Sequence, residues 1–235
     1  RSFFVYLPTN APHDPFHDVP EGLREHYQAK AEQVARLLIG PLPEKRLAAQ
    51  VDRLARIAAM VTNIDQNVGR LLERLEALEL AENTMVLYLV DNGPAGRRYV
   101  GPFRGSKADV HEGGIRSPLW IRWPAKLKAG MSRDEPVAHF DLMPTILDAC
   151  GVEPPKNVKL DGRSFLPLLV GDKTEWPERP IVLQSHRGDQ PVRYHQFMVR
   201  QGAWKLLNAG GFGHETLPGE PKFELYNVAE DPGET

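Results

Sequence analysis

Two side chains directly after an apolar run carry oxygen atoms of the kind that bind hard metal ions. Residues 85–90 are rich in β-forming side chains, which predicts a buried strand, and Asp91-Asn92-Gly93 follows as a sharp turn. In open α/β sheets, ligands bind just beyond the carboxyl ends of strands. A carboxylate and a carboxamide placed there could bind Ca²⁺ or Mg²⁺. Taken alone, the same tripeptide is more often only a turn.

A histidine with restricted backbone follows the first apolar run of the chain. Residues 3–7 predict a strand, and His13 lies in the polar loop after it, with a proline on each side. A rigidly held imidazole can bind an oxyanion or transfer a proton near neutral pH. A histidine in an ordinary surface loop is the alternative.

A lysine lies in a glycine-bounded loop, residues 105–116, that leads into a predicted strand at residues 115–123. The ammonium group of Lys107 could place a point charge on a sulfate or phosphate oxygen. A charged surface loop is the alternative interpretation.

In this order, the segments resemble the sulfatase family of the alkaline phosphatase superfamily. The resemblance continues through residues 57–69, 82–86, 112–118, 139–145, 161–164, 203–206, 224–227 and 231–234. It implies an α/β fold, namely part of an alkaline-phosphatase-like sheet covered by helices, followed by a small C-terminal α+β subdomain with an antiparallel sheet. It also implies calcium-dependent hydrolysis of aryl or carbohydrate sulfate esters, with a sulfated small molecule or glycan as the partner.

The resemblance also implies a role for each candidate residue. His13 and Lys107 match the catalytic and substrate-binding positions that contact the sulfate and the leaving oxygen. Asp91 and Asn92 match two ligands of a single calcium ion, which would neutralise the sulfate oxygens. His13 would donate a proton to the leaving group, and Lys107 is the alternative donor.

The family's nucleophile is a formylglycine made from the cysteine of a Cys-x-Pro-x-Arg motif, which cannot be mapped here. Cys150 lacks that context and is interpreted as a small apolar residue near a helix end. An early aspartate pair that completes the calcium site is also missing. We therefore expect this chain to be the C-terminal part of a longer, periplasmic or secreted sulfatase, inactive by itself. The alternatives are a phosphomonoesterase or phosphodiesterase of the same superfamily, or a non-catalytic sulfatase-like protein that binds glycans.

Composition narrows the functional classes. Hydrophobic residues make up 41% of the chain and charged residues 26%, as in ordinary soluble domains. A formal net charge of -2 gives no electrostatic argument for nucleic acid or an anionic membrane. No apolar run reaches the length of a membrane span. The single cysteine excludes an internal disulfide.

The spacing of apolar residues, together with the glycines and prolines that end helices, predicts the helices and strands that position these residues. Apolar spacing predicts helices at residues 21–39, 44–80 and 141–150. Together with the strands at 3–7, 85–90 and 115–123, this order predicts a largely parallel sheet covered by helices. Beyond residue 151, antiparallel strands are predicted at 181–183, 196–200, 204–207 and 223–226. We divide the chain into a catalytic portion, residues 1–172, and a C-terminal subdomain, residues 173–235. Four residues of the latter are interpreted as solvated surface groups: His186, Arg193, His195 and His214.

Overall fold

The computed structural model describes residues 2–96, 98–171, 175–186 and 188–235. The chain divides into two compact units, Arg1–Glu82 and Asn83–Thr235. The predicted domain boundary at residues 172 and 173 lies outside the described residues, so that division stays a prediction. Among the described helices, none is long and apolar enough to cross a membrane.

The first unit contains two packed helices, α1 (Glu21–Ile39) and α2 (Glu44–Ala77). Small and β-branched side chains from both helices form their buried contact: Ala31, Ala35, Val51 and Ala55. The predicted bounds of α1 are confirmed, because Gly40 takes a positive φ of 76° and ends the helix. Helix α2 ends three residues earlier than predicted, at Ala77.

The predicted strand at residues 3–7 is wrong for this structure. The five side chains are 55–76% exposed, and no strand is assigned there. A strand needs a neighbouring strand to accept its amide hydrogens and donate to its carbonyls. None of the described strands pairs with this segment, so its β-forming composition alone does not produce a strand.

The second unit begins with a two-stranded sheet of β1 (Val86–Leu89) and β2 (Leu119–Arg122), with the one-turn helix α3 (Glu112–Ile115) between them in the chain. The strands pair antiparallel, with Val86 opposite Arg122, so the expectation of a largely parallel sheet is wrong within the described chain. The reason is the connection between them. The amide of Val90 donates to the carbonyl of Pro118 at 3.3 Å, so the connection leaves and returns at the same end of the pair.

Helices interrupt the chain between β2 and the last sheet. A 3-10 helix (His139–Asp141) precedes α4 (Leu142–Ala149), which confirms the helix predicted near residues 141–150. Pro144 lies in its first turn, where its missing amide hydrogen has no consequence. Cys150 follows the last helical residue, as predicted, but is exposed rather than buried. Helix α5 (Leu166–Val170) was not predicted.

The four C-terminal strands form the predicted antiparallel sheet. They are β3 (Ile181–Gln184), β4 (Phe197–Gln201), β5 (Trp204–Asn208) and β6 (Glu224–Asn227), in spatial order β3-β4-β5-β6. Ile181, Met198 and Leu207 form a buried apolar cluster with Val110. Since Val110 belongs to the loop that carries Lys107, this cluster anchors that loop to the C-terminal sheet.

Candidate active site

The turn after β1 packs directly against helix α3 (Glu112–Ile115). The amide of Gly93 donates to the carbonyl of Gly114 at 2.9 Å. A Cβ atom on Gly93 would lie 1.9 Å from the carbonyl oxygen of Gly113, so only glycine fits this contact. The strand predicted from residue 115 starts later: Ile115 is the last residue of this one-turn helix, and β2 begins at Leu119.

We call residues 105–111 the Lys107 loop. The amide of Lys107 donates to the carbonyl of Pro94 at 2.9 Å. The structure thus brings the Asp91-Asn92-Gly93 turn and the lysine-bearing loop together through the backbone. The loop itself is tight, because a Cβ atom on Gly114 would lie 2.3 Å from the carbonyl oxygen of Asp109.

Within the Lys107 loop, the buried residue His111 contacts Asp109. His111 is 2% exposed, and its Nδ1 lies 2.7 Å from Oδ1 of Asp109. Burial alone would raise the pKa of Asp109, but hydrogen bonds with His111 outweigh it and hold the pKa below its ordinary value of 3.8. Asp109 is therefore a carboxylate near neutral pH, and it fixes the orientation of the imidazole.

Hydrogen bonds within the turn orient the side chains of Asp91 and Asn92. Asp91 is exposed, and its Oδ1 accepts the amide hydrogen of Asn92 at 2.8 Å. The side-chain nitrogen of Asn92 donates to the carbonyl of Gly93 at 2.8 Å, so the side-chain oxygen is the atom that a cation could contact. Among the described residues, no group of three or more His, Cys, Asp or Glu side chains could hold a metal. Since Ca²⁺ takes six to eight oxygen ligands, these two residues alone do not complete a site, and their role as calcium ligands stays a prediction.

His13 belongs to the first unit. Its amide donates to the carbonyl of Asn10 at 2.9 Å, which closes a turn, and its Nδ1 lies 2.8 Å from a carboxylate oxygen of Asp14. The imidazole is more than half exposed. That His13 and Lys107 converge on one anion stays a prediction, because they belong to different units.

A buried charge cluster next to the site was missed from the sequence. It contains Glu112, Lys205 and Glu234, which are at most 2% exposed. The Nζ atom of Lys205 lies 3.0 Å from Oε1 of Glu112 and 2.7 Å from Oε1 of Glu234. The sequence held one signal, a lysine at an alternating position inside the apolar run of β5.

The prediction of a solvated surface group is wrong for one histidine, which lies in the turn before β4. His195 is 1% exposed rather than solvated. Its Nδ1 lies 3.2 Å from the carbonyl oxygen of Ser185, and its Nε2 lies 2.9 Å from that of His214. The ring therefore ties the end of β3 to the loop after β5 and has a structural place in this unit.

Comparison with known protein families and structures gives a consistent result. Residues 1–152 match the profile described as Sulfatase, and residues 106–235 match the one described as N-sulphoglucosamine sulphohydrolase, C-terminal. Steryl-sulfatase of Mus musculus is 36% identical across 63% of this chain and 25% of its own length. An uncharacterized sulfatase, YdeN of Escherichia coli (strain K12), is 31% identical across 86% of this chain and 34% of its own length.

A solved structure gives the same fold. The crystal structure of Ps i-CgsB in complex with k-i-k-neocarrahexaose matches with a TM-score of 0.71 and 24% identity. The match covers 96% of this chain and 43% of that protein. The alkaline-phosphatase-like fold class expected from the sequence is thereby confirmed. The chain spans only about a quarter to a third of the two relatives, so it corresponds to a portion of such proteins.

Proposed function

Since this chain belongs to the sulfatase family, we propose that it is the part of a sulfate ester hydrolase that holds the sulfate group and part of a calcium site. In the net reaction, water and a sulfate ester give an alcohol or phenol and inorganic sulfate. The observation that carries the proposal is the packing of the Asp91-Asn92-Gly93 turn on the Lys107 loop. It joins the backbone segments that carry Asp91, Asn92 and Lys107, which supports a shared role for these side chains.

Lys107 is proposed to bind a sulfate oxygen. Charge builds up on the transferring group and on the leaving oxygen as the S–O bond breaks, and a fixed cation stabilises that charge. The backbone contacts of the Lys107 loop hold the main chain of the lysine in place before substrate binds. This preorganisation matters because a cation that must move into position stabilises the transition state less.

Asp91 and Asn92 are proposed to hold one side of a calcium ion. When bound, calcium supplies Lewis-acid neutralisation of the sulfate oxygens. The hydrogen bonds within the turn determine which side-chain oxygens of Asp91 and Asn92 remain available to the ion. The remaining ligands and the formylglycine nucleophile are proposed to come from a segment outside these 235 residues.

His13 is proposed to donate the proton that the leaving oxygen needs. An imidazole is suited to this task because its ordinary pKa is near neutrality. A carboxylate oxygen of Asp14 lies 2.8 Å from Nδ1, and this contact orients the ring. Lys107 is the alternative proton donor.

The proposed substrate is a sulfated carbohydrate or an aryl sulfate. The oligosaccharide in the complex of Ps i-CgsB supports the carbohydrate, and the steryl-sulfatase relative supports a non-carbohydrate ester. An assay with both ester types separates the two, and a matched phosphate ester tests the phosphoesterase alternative.

Replacement of Lys107 tests the proposal. In the longer protein that contains this chain, Lys107→Ala should lower kcat/KM for the sulfate ester by about 10²-fold or more, the scale of losing one preorganised charge contact. Cys150→Ala is the matched control, because Cys150 is exposed at a helix end. The proposal is wrong if Lys107→Ala leaves kcat/KM unchanged, or if the phosphate ester is the preferred substrate.

A further inference from the structure

Both ends of the Lys107 loop are hydrogen-bonded to Glu234, in the turn formed by residues 231–234. Before the loop, the guanidinium of Arg104 donates to the carbonyl oxygen of Glu234 at 3.0 Å. After the loop, the amide of Glu112 donates to Oε2 of Glu234 at 2.6 Å. Glu234 therefore spans the loop from Arg104 to Glu112 with its own backbone and side chain.

The carboxylate of Glu234 is held in place by charge. Glu234 and Lys205 are both 0% exposed, and their charged atoms lie 2.7 Å apart. Lys205 also contacts Glu112, whose second oxygen lies 3.5 Å from the guanidinium of Arg200. The same oxygen of Glu112 lies 3.8 Å from the guanidinium of Arg116, so the two carboxylates face one lysine and two arginines. In such a buried group, removing one partner leaves an uncompensated charge and has a large effect.

The consequence extends to the candidate site. Glu112 is the first residue of α3, and the next two residues, Gly113 and Gly114, contact Gly93 through their carbonyl groups. A shift of Glu112 would therefore move the turn that carries Asp91 and Asn92. It would also release the C-terminal end of the loop that carries Lys107.

We propose that Glu234 is a positioning residue for the sulfate-binding site, acting through both ends of the Lys107 loop and through α3. The inference rests on the proposed function for its catalytic consequence. It gives a role to the Asp-Pro-Gly-Glu turn, residues 231–234, which lies far along the chain from the residues that would touch substrate. Lys205 acts with Glu234 by fixing its carboxylate.

Two substitutions separate the parts of this role. Glu234→Ala removes the acceptor and the charge. Glu234→Gln removes the charge but keeps an oxygen that can accept the amide hydrogen of Glu112. Glu230→Gln is the matched control, since Glu230 is an exposed carboxylate in the same turn region. All three changes are made in the longer protein.

The first measurement is amide hydrogen exchange. Exchange at Glu112, Gly113 and Lys107 should be about tenfold faster or more in Glu234→Ala, because a charge-assisted hydrogen bond is lost. Glu234→Gln should give a smaller change, and Glu230→Gln none. The amide of Val199 in β4 serves as an internal reference and should keep its protection. Equal exchange at Glu112 and Gly113 in Glu234→Ala and Glu230→Gln would overturn the proposal.

The second measurement is kcat/KM for a sulfate ester. It should fall by about 10- to 100-fold in Glu234→Ala and partly recover in Glu234→Gln, since a misplacement of about 1 Å has effects of this size. The proposal would also be overturned if the wild type is active and Glu234→Ala exchanges faster but keeps an unchanged kcat/KM. If the wild type hydrolyses no sulfate ester, the proposed function fails, and the exchange data alone decide whether Glu234 holds the loop. If Glu234→Ala does not fold, the same comparisons are made with Glu234→Gln.

Discussion

Replacing Gly93 with alanine is the sharpest perturbation of the candidate site. The new Cβ atom would lie 1.9 Å from the carbonyl oxygen of Gly113 and 2.9 Å from the Cα atom of Gly114. Ordinary van der Waals contact begins near 3.4 Å, so the turn and α3 must separate by about 1.5 Å. Both neighbours are backbone atoms, which cannot rotate away as a side chain would.

The magnitude follows from these contacts. Overpacking in a tight contact costs about 1–3 kcal/mol. The hydrogen bond from the Gly93 amide to Gly114, 2.9 Å long, would also be lost, and such a bond contributes about 0.5–1.5 kcal/mol. We therefore expect the free energy of unfolding to fall by about 2–4 kcal/mol, and kcat/KM to fall by about 10²-fold, because Asp91 and Asn92 move with the turn.

Urea unfolding and steady-state kinetics on the same preparations check this prediction. Gly69→Ala is the matched control, because Gly69 lies within α2 and nothing approaches its Cβ position within 4 Å. That control should gain about 0.5–1 kcal/mol from the higher helix propensity of alanine. If Gly93→Ala were as stable and as active as Gly69→Ala, the close packing of the turn on α3 would be refuted.

Three further outcomes are expected. Cys150→Ala should change the free energy of unfolding by less than about 0.5 kcal/mol, because the thiol is exposed; a larger loss in thermal denaturation would contradict its placement. Asp109→Asn should destabilise the protein near pH 6, and the difference from wild type should shrink as the pH falls below 3.8. The sign follows because His111 lowers the folded-state pKa of Asp109. The stabilisation by the carboxylate is therefore present above the unfolded-state pKa and disappears in acid. If the difference in free energy of unfolding between Asp109→Asn and the wild type grows between pH 6 and pH 3, the pair is misassigned. Calorimetric titration of the 235-residue chain should show calcium binding no tighter than about 10⁻⁴ M, because Asp91 and Asn92 supply too few oxygens; tight stoichiometric binding would mean that further ligands lie within the chain.

The sequence predicted correctly those helices whose apolar spacing and stop residues lie within one segment. Helix α1 has its predicted bounds, since its apolar spacing and the Gly40-Pro41 stop both lie within one segment. The strand at residues 3–7 failed for the opposite reason. A β-rich composition states only that a segment can pair, and the partner must come from elsewhere in the molecule.

The candidate site was predictable only in part. Resemblance to the sulfatases identified Asp91, Asn92 and Lys107, and the structure adds the backbone contacts that join them. The attachment of the site to the C-terminal sheet was not predictable, because Glu112 is separated by 93 residues from Lys205 and by 122 from Glu234. No periodicity or local motif reports contacts over such distances. The lysine inside the apolar run of β5 is a local signal for a buried charge, but its carboxylate partners become visible only when the fold is known.

The most direct test of the account is a crystal structure of the longer protein with calcium and a sulfate ester. We predict that side-chain oxygens of Asp91 and Asn92 lie 2.3–2.6 Å from the ion. The Nζ atom of Lys107 and the imidazole of His13 should lie within about 3.2 Å of the sulfate group or its leaving oxygen. A calcium ion bound by other residues, with Lys107 and His13 on opposite faces of the fold, would contradict the central claim.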